Sequence, residues 1–356
     1  MWRPKPWTLP GPASFVTRAC SVANRQKVTV LHAPHSPEAL SEALHDHLVN
    51  DIGYSVIRLD QRTGEPFSSA LSAEAGVRAS GPASLATSPA LAHAALVILC
   101  CGPVEADLAT FARLVRRQPS GEGPILVVVS EDGAFRMDDC CTENVRDVFG
   151  PLDGAAYAAA MPRAARPLEG RLVASVAIEV AAWDVSLLDL LTVLPIERAV
   201  RPDLCVESWD DGRKDGWRGV PLAWERGCLD SWGGEDAEHA LWLAANKPAV
   251  LTKRVWRGQL TMMLPWIERQ RLSIIEQERR TLRPDPIRSG PDVESLDWGP
   301  LSAQLERVPN LKRLLEVFRE GRNELAHGRP LTWAQINACL VAASGRRGPA
   351  TVGRGA

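Results

Sequence analysis

Apolar and polar positions divide the chain into a first part with short apolar runs and a second part with helical spacing. Runs rich in β-branched and other apolar residues lie at residues 27–32, 54–59, 95–100 and 124–129. The last two runs are apolar throughout rather than alternating, which is typical of strands in the middle of a parallel sheet. Helical spacing at residues 37–50 and 105–117 separates them, so the first part predicts a small doubly wound α/β domain.

Strand signals become sparse after a stretch rich in Pro, Ala and Gly at residues 150–170. Helices are predicted at residues 172–194, 236–246, 249–264, 265–281, 298–308, 311–327 and 333–343. Residues 201–236 are predicted to form an irregular, acidic insertion that is rich in tryptophan. Other tryptophans, such as Trp183, Trp256 and Trp266, lie on apolar helical faces, which favours core packing over a base-stacking role.

These patterns predict an α/β plus all-α protein with a sheet domain followed by a helical domain. The predicted segments are a disordered basic arm at 1–26, an α/β domain at 27–160, a helical domain at 170–345 and a disordered tail at 346–356. The arm is assigned as disordered because prolines interrupt it and it lacks a continuous apolar stretch.

Composition narrows the class of protein. Lys plus Arg (41) nearly balances Asp plus Glu (43), so the net charge of the chain does not indicate a nucleic-acid or membrane partner. Residues 247–329, however, carry 16 basic against 11 acidic groups, which favours a polyanionic partner for this part of the chain. No apolar stretch approaches the roughly 20 residues that span a bilayer. The eight cysteines show no C-x2-C spacing, which favours free thiols in a reducing cytoplasm over structural zinc. We therefore expect a cytoplasmic protein without a membrane partner, a metal or a cofactor.

The segment at residues 311–330 contains the candidate chemistry. Its apolar residues step by three and four, and Arg322 falls on that same stripe, where a permanent charge needs a partner, an interface or a functional cleft. Asn323 and His327 are four residues apart and share a helical face, and Gly328 is expected to end the helix. Gly321 predicts a close approach of another backbone.

Arg322, followed directly by the polar Asn323, and His327 fit the pattern R-[polar]-x(3–5)-H. With the helix-breaking residues 328–330, this segment resembles the HEPN superfamily over about residues 240–345. The resemblance implies an RNA substrate, cleavage without metal, and a homodimer whose two motifs meet across the interface of the C-terminal helices. It also implies that His327 acts as general base or acid, that Arg322 stabilises charge on the phosphate, and that Asn323 orients these groups.

A ribonuclease is favoured, but other interpretations stay open. Many HEPN members have lost catalysis, so a non-catalytic interaction or adaptor protein with a degenerate HEPN-like domain is the main alternative. In that case Arg322 pairs with Glu316, Glu320 or another acid of its own chain, and His327 only caps the C-terminus of the helix through its dipole. Family analogy further suggests a bacterial stress or anti-phage defence protein with signalling or defence partners.

The order of elements in residues 27–160 is similar to that of Toll/interleukin-receptor (TIR) domains and of other flavodoxin-like folds. TIR enzymes that cleave NAD carry a glutamate after the third strand in a W-C-x-x-E context. Residues 101–113 lack that motif, and Glu105 lies too early to match it. We therefore expect the α/β domain to act as a sensor or assembly module, with NAD processing as the second alternative. His32 and His35 follow the first strand, at the edge where α/β sheets bind small molecules.

Overall fold

The chain divides into two compact units in a computed structural model. The structure describes residues 5–34, 37–119, 122–132, 135–137, 140–160, 168–210, 216–287 and 289–344. The first unit, here called the sheet unit, comprises Met1–Ala160, Ala182–Ser186 and Gly219–His239. The second, the helical unit, comprises Met161–Ala181, Leu187–Arg218 and Ala240–Ala356. The predicted tail at 346–356 lies outside the described residues.

The sheet unit is built on five parallel strands. They are β1 (Val28–His32), β2 (Ser55–Asp60), β3 (Ala94–Cys100), β4 (Ile125–Ser130) and β5 (Cys141–Asn144). Their order across the sheet is β2-β3-β4-β1-β5, and every neighbouring pair is parallel. β1, β3 and β4 are buried along their whole length, and in β1 this includes the polar Thr29 and His32. The edge strands β2 and β5 are partly exposed.

Helices cover both faces of this sheet, so the predicted doubly wound α/β arrangement is confirmed. They are α1 (Pro10–Gln26), α2 (Pro37–His47), α3 (Phe67–Glu74), α4 (Pro82–Ala86) and α5 (Ala106–Arg116). A further helix, α6 (Pro151–Ala159), follows β5 along the chain. α1 and α2 pack on one face against residues such as Leu31 and Val127. α3, α4 and α5 pack on the other face against residues such as Val30 and Val128.

The strand order departs from the flavodoxin-like topology that the order of elements suggested. In flavodoxin-like sheets the first strand lies between the second and the third. Here β1 lies between β4 and β5, and the crossover through α2 carries the chain to the far edge of the sheet. The connections from β2 to β3 and from β3 to β4 run in the reverse direction across the sheet. Because parallel crossovers keep one handedness, the helices of these connections lie on the opposite face.

The prediction of a disordered arm at residues 1–26 is wrong from Pro10 onwards. α1 begins at Pro10 and buries Phe15, Val16 and Ala19 against the sheet. Proline is compatible with the first turn of a helix, where the backbone N–H has no acceptor in any case. The prolines that suggested disorder therefore mark the start of a helix instead.

The helical unit is formed by helices that range from 4 to 31 residues in length. They are α7 (Glu169–Ala181), α8 (Val185–Val193), α9 (Ile196–Ala199), α10 (Ala240–Asn246), α11 (Pro248–Glu278), α12 (Trp298–Leu305), α13 (Pro309–Ala326) and α14 (Trp333–Ser344). α7 and α11 pack so closely at Gly258 that a Cβ added there would lie 2.6 Å from the Cα of Val176. Over the described residues, no helix combines the length and apolar composition that crossing a bilayer requires.

Two predicted helix boundaries are wrong. The helix expected at 172–194 is broken at Ala182, whose φ is +49°. The two helices expected at 249–264 and 265–281 form the single helix α11, with Pro265 inside it. Met263 and Ile267 are buried on either side of that proline, and their packing outweighs the hydrogen bond that proline removes.

The tryptophan-rich insertion contains a hairpin that its sequence did not predict. β6 (Leu229–Trp232) and β7 (Glu235–Glu238) are antiparallel, and Gly233 and Gly234 join them with φ values of +65° and +84°. Positive φ at both central residues is the requirement of a type I′ turn. Trp209 and Trp224 of this insertion are buried.

Candidate functional site at the end of helix α13

α13 has a continuous buried stripe and a defined end. Its buried residues are Leu311, Leu314, Leu315, Phe318, Gly321 and Leu325. At the C-terminal end, the Gly328 N–H donates to the Leu325 carbonyl, and the Arg329 N–H donates to the Glu324 carbonyl. Gly328 has φ +75°, so this is a Schellman motif in which His327 is the C-cap. The predicted end of the helix is confirmed.

Arg322 lies at the edge of the buried stripe, and its side chain is 36% exposed. Its Nη2 is 3.7 Å from Oδ2 of Asp297, the one ion pair that Arg322 makes among the described residues. Asp297 is half exposed and also caps α12, since its Oδ1 accepts a hydrogen bond from the Trp298 N–H. An exposed pair at this distance contributes little to stability.

Asn323 and His327 are both exposed and lie one turn apart on the same face of α13. Arg322 precedes His327 by five residues, which corresponds to about 140° around the helix axis. The structure therefore brings Asn323 and His327 together on one face, whereas the guanidinium of Arg322 leaves the helix on another side. The three side chains of a single α13 therefore do not meet at one point.

Two side chains of α11 hold the backbone on either side of His327. The Trp256 Nε1–H donates to the Leu325 carbonyl at 2.7 Å. The Gln259 side chain is fully buried and donates from Nε2 to the carbonyls of Val200 (2.8 Å) and Leu331 (3.0 Å). Its Oε1 accepts from the Leu331 N–H at 2.6 Å. The sequence prediction missed this role, although an amide on the apolar face of α11 was a visible signal.

Gly321 lies where α13 packs against α11 and α14. An added Cβ would lie 3.4 Å from Cys339 Sγ and 3.6 Å from Ile267 Cδ1. The predicted close approach is therefore present, but the neighbours are side chains rather than another backbone. The close packing fixes α13 in place one residue before Arg322.

The residues considered for other chemistries have structural contacts. Glu105 accepts a hydrogen bond from the Phe67 N–H at 2.9 Å, so its carboxylate anchors the start of α3. His32 is the last residue of β1 and is fully buried, whereas His35 lies outside the described residues. Among the residues that the structure describes, no group of three His, Cys, Asp or Glu side chains is arranged to hold a metal ion.

Comparison with known proteins adds no assignment. No protein-family model matches the chain, and no curated protein shows significant similarity to it.

Proposed function

We propose that the protein is a metal-independent RNA endonuclease of the HEPN type that acts as a homodimer through its C-terminal helices. The observation that supports this best is the exposure of Asn323 and His327, with the partly exposed Arg322 beside them, on a helix end whose backbone is held by Trp256 and Gln259. A phosphodiester can reach these side chains without rearrangement of the fold. The sheet unit then serves as a sensor or assembly module, in the setting of bacterial stress or anti-phage defence.

The reaction is an internal transfer at phosphorus. A base takes the proton of the ribose 2′-hydroxyl, the 2′-oxygen attacks phosphorus, the P–O5′ bond breaks, and an acid gives O5′ a proton. The products are a 2′,3′-cyclic phosphate and a 5′-hydroxyl, and no other reactant is consumed. His327 supplies proton transfer, because imidazoles exchange protons near neutral pH. Arg322 donates forked hydrogen bonds to the phosphate oxygens, and Asn323 orients the imidazole or the ribose.

The geometry of α13 favours a dimeric site. One chain offers one exposed motif imidazole, whereas the reaction needs a base and an acid at the same time. Arg322 and His327 also diverge by about 140° on a single helix. A twofold axis at the end of α13 supplies a second imidazole and a second guanidinium to a shared phosphate. His327 of one chain and His327 of the partner subunit then take the two proton-transfer roles.

The proposal is tested by asking whether cleavage requires the ribose 2′-hydroxyl of the substrate. Purified protein is incubated with an RNA oligonucleotide and with its fully 2′-O-methylated form, both in excess EDTA, and over a range of protein concentrations. We expect cleavage of RNA alone, products with 2′,3′-cyclic phosphate ends, and a specific activity that rises with protein concentration until the dimer is saturated. Loss of cleavage in EDTA with recovery in Mg²⁺, or cleavage of the methylated strand, overturns the mechanism.

A non-catalytic docking module is the second candidate, and the ion pair between Arg322 and Asp297 favours it. A carboxylate of the same chain already compensates part of the charge that a phosphate would bind. In that case the protein binds RNA or a partner protein but leaves RNA intact at every concentration. The two candidates therefore differ in product formation rather than in binding.

A further inference from the structure

A small cavity of the helical unit lies between α12 and α13. Its volume is about 260 Å³. Ser302 and Glu306, the C-cap residue, line it from α12, and Lys312, Glu316 and Arg319 line it from α13. We call this the α12–α13 cavity.

Arg319 places the α12–α13 cavity next to the candidate motif. Arg322 and Asn323 follow Arg319 by three and four residues, so both are its neighbours one turn further along α13. His327 lies about 12 Å from Arg319 along the helix axis and about 80° from it around that axis. A strand of RNA that reaches the motif can therefore contact the cavity as well.

The charged side chains of the cavity are balanced in sign but are not paired. Lys312 and Arg319 can donate hydrogen bonds, Glu306 and Glu316 can accept them, and all four residues are exposed. None of these four side chains makes an ion pair within the part of the chain that the structure describes.

The hydroxyl of Ser302 is a further unused polar group. Its Oγ is buried and has no hydrogen-bond partner among the described residues, which is uncommon for a buried hydroxyl. The cavity therefore offers free donors and free acceptors without an excess of either charge. These properties suit a neutral ligand that has both kinds of group, such as a nucleic-acid base.

We propose that the α12–α13 cavity binds a guanine base of the RNA strand that the motif holds; this inference rests on the proposed function. Guanine presents two adjacent donors on its Watson–Crick edge, N1–H and the N2 amino group, and one carboxylate can accept from both. Its O6 and N7 atoms form the acceptor pair to which Arg or Lys donates. The cavity is smaller than the sites of drug-sized ligands, so it fits a base rather than a whole nucleotide.

The test measures binding separately from cleavage. The full chain is titrated with fluorescent, fully 2′-O-methylated oligouridylates that carry one central guanine, adenine or hypoxanthine, the last of which lacks only the N2 amino group of guanine. The variant is Glu306→Gln with Glu316→Gln. The control is Glu197→Gln with Glu276→Gln, which changes the charge equally at exposed positions of the same unit outside the cavity. Thermal unfolding confirms that both variants are folded.

We expect the guanine strand to bind about tenfold more tightly than the adenine and hypoxanthine strands. This preference should fall below about threefold in the cavity variant and should persist in the control. The inference is overturned if the guanine strand does not bind, if the wild type shows no preference for guanine, or if the cavity variant keeps that preference.

Cleavage of the unmethylated oligonucleotides in EDTA distinguishes this inference from the proposed function. Cleavage without a guanine preference in binding overturns the cavity assignment and leaves the ribonuclease standing. Binding with the expected preference, but without any cleavage, supports the cavity assignment and overturns the ribonuclease.

Discussion

The side chain of Gln259 bridges both polar backbone groups of Leu331, accepting from its N–H at 2.6 Å and donating to its carbonyl at 3.0 Å. The bridge is fully buried and joins α11 to the segment that follows His327. Trp256, almost one turn earlier on α11, holds the Leu325 carbonyl before His327. The candidate imidazole therefore lies between two anchored stretches of backbone.

Gln259→Leu should lower the free energy of unfolding by about 3 kcal/mol, because buried backbone groups of Leu331 and Val200 lose their partners. Chemical denaturation measures this loss, and amide hydrogen exchange should show faster exchange at residues 325–331. Gln304 makes the same two-way bridge to the backbone of Arg283, but on the surface. Gln304→Leu should therefore cost less than about 1 kcal/mol, and equal losses for the two variants would contradict this account.

Asp297→Asn should strengthen the action of Arg322 on RNA. The amide keeps an oxygen that can accept from the Trp298 N–H, so the cap of α12 is retained, but the negative charge next to Arg322 is removed. We expect kcat/KM for RNA cleavage to rise about threefold and the free energy of unfolding to change by less than about 0.5 kcal/mol. Asp292→Asn, a change at another exposed aspartate, serves as the control. An unchanged or lower kcat/KM would show that Asp297 does not compete with the phosphate.

Asp230→Asn should change how the stability of the protein depends on pH. Burial, with a smaller contribution from Asp147, raises the pKa of the Asp230 carboxyl from its usual 3.8 to about 6. The folded state thus holds this proton more tightly than the unfolded state, so the stabilisation is complete below pH 4 and is lost as the pH rises through 6. The asparagine can still accept from the N–H groups of Asp147 and Ser231, but it does not ionise.

The free energy of unfolding of Asp230→Asn minus that of the wild type should accordingly rise by about 2 to 3 kcal/mol from pH 4 to pH 7. Denaturant unfolding of both proteins across this pH range measures the difference. Parallel stability curves would show that the carboxyl is not perturbed.

Sequence patterns predicted those elements whose signals are local. Continuous apolar runs predicted β3 and β4, and a mostly apolar run predicted β1, because both faces of each strand are buried. The stripe of α13 and the terminating Gly328 also depend only on neighbours within two turns.

Features that depend on distant parts of the chain were not predicted. The position of β1 between β4 and β5 is decided by where the crossovers pass, which no local pattern records. Gln259 is visible in the sequence as an amide on an apolar helix face, but its partner Leu331 is 72 residues away and no local pattern identifies it. Glu316 and Glu320 were the partners that the sequence suggested for Arg322, but its ion pair is with Asp297, whose position depends on how α12 and α13 pack.

The most direct measurement is the single-turnover rate of RNA cleavage in EDTA for His327→Ala and Arg322→Ala. His93→Ala and Arg313→Ala replace exposed residues of the same types elsewhere and serve as controls. We expect the rate to fall on the order of 10²- to 10⁴-fold for His327→Ala and on the order of 10²- to 10³-fold for Arg322→Ala, with folding retained. The controls should cleave like the wild type. Wild-type rates in either motif variant would contradict the assignment of these two residues to the chemistry.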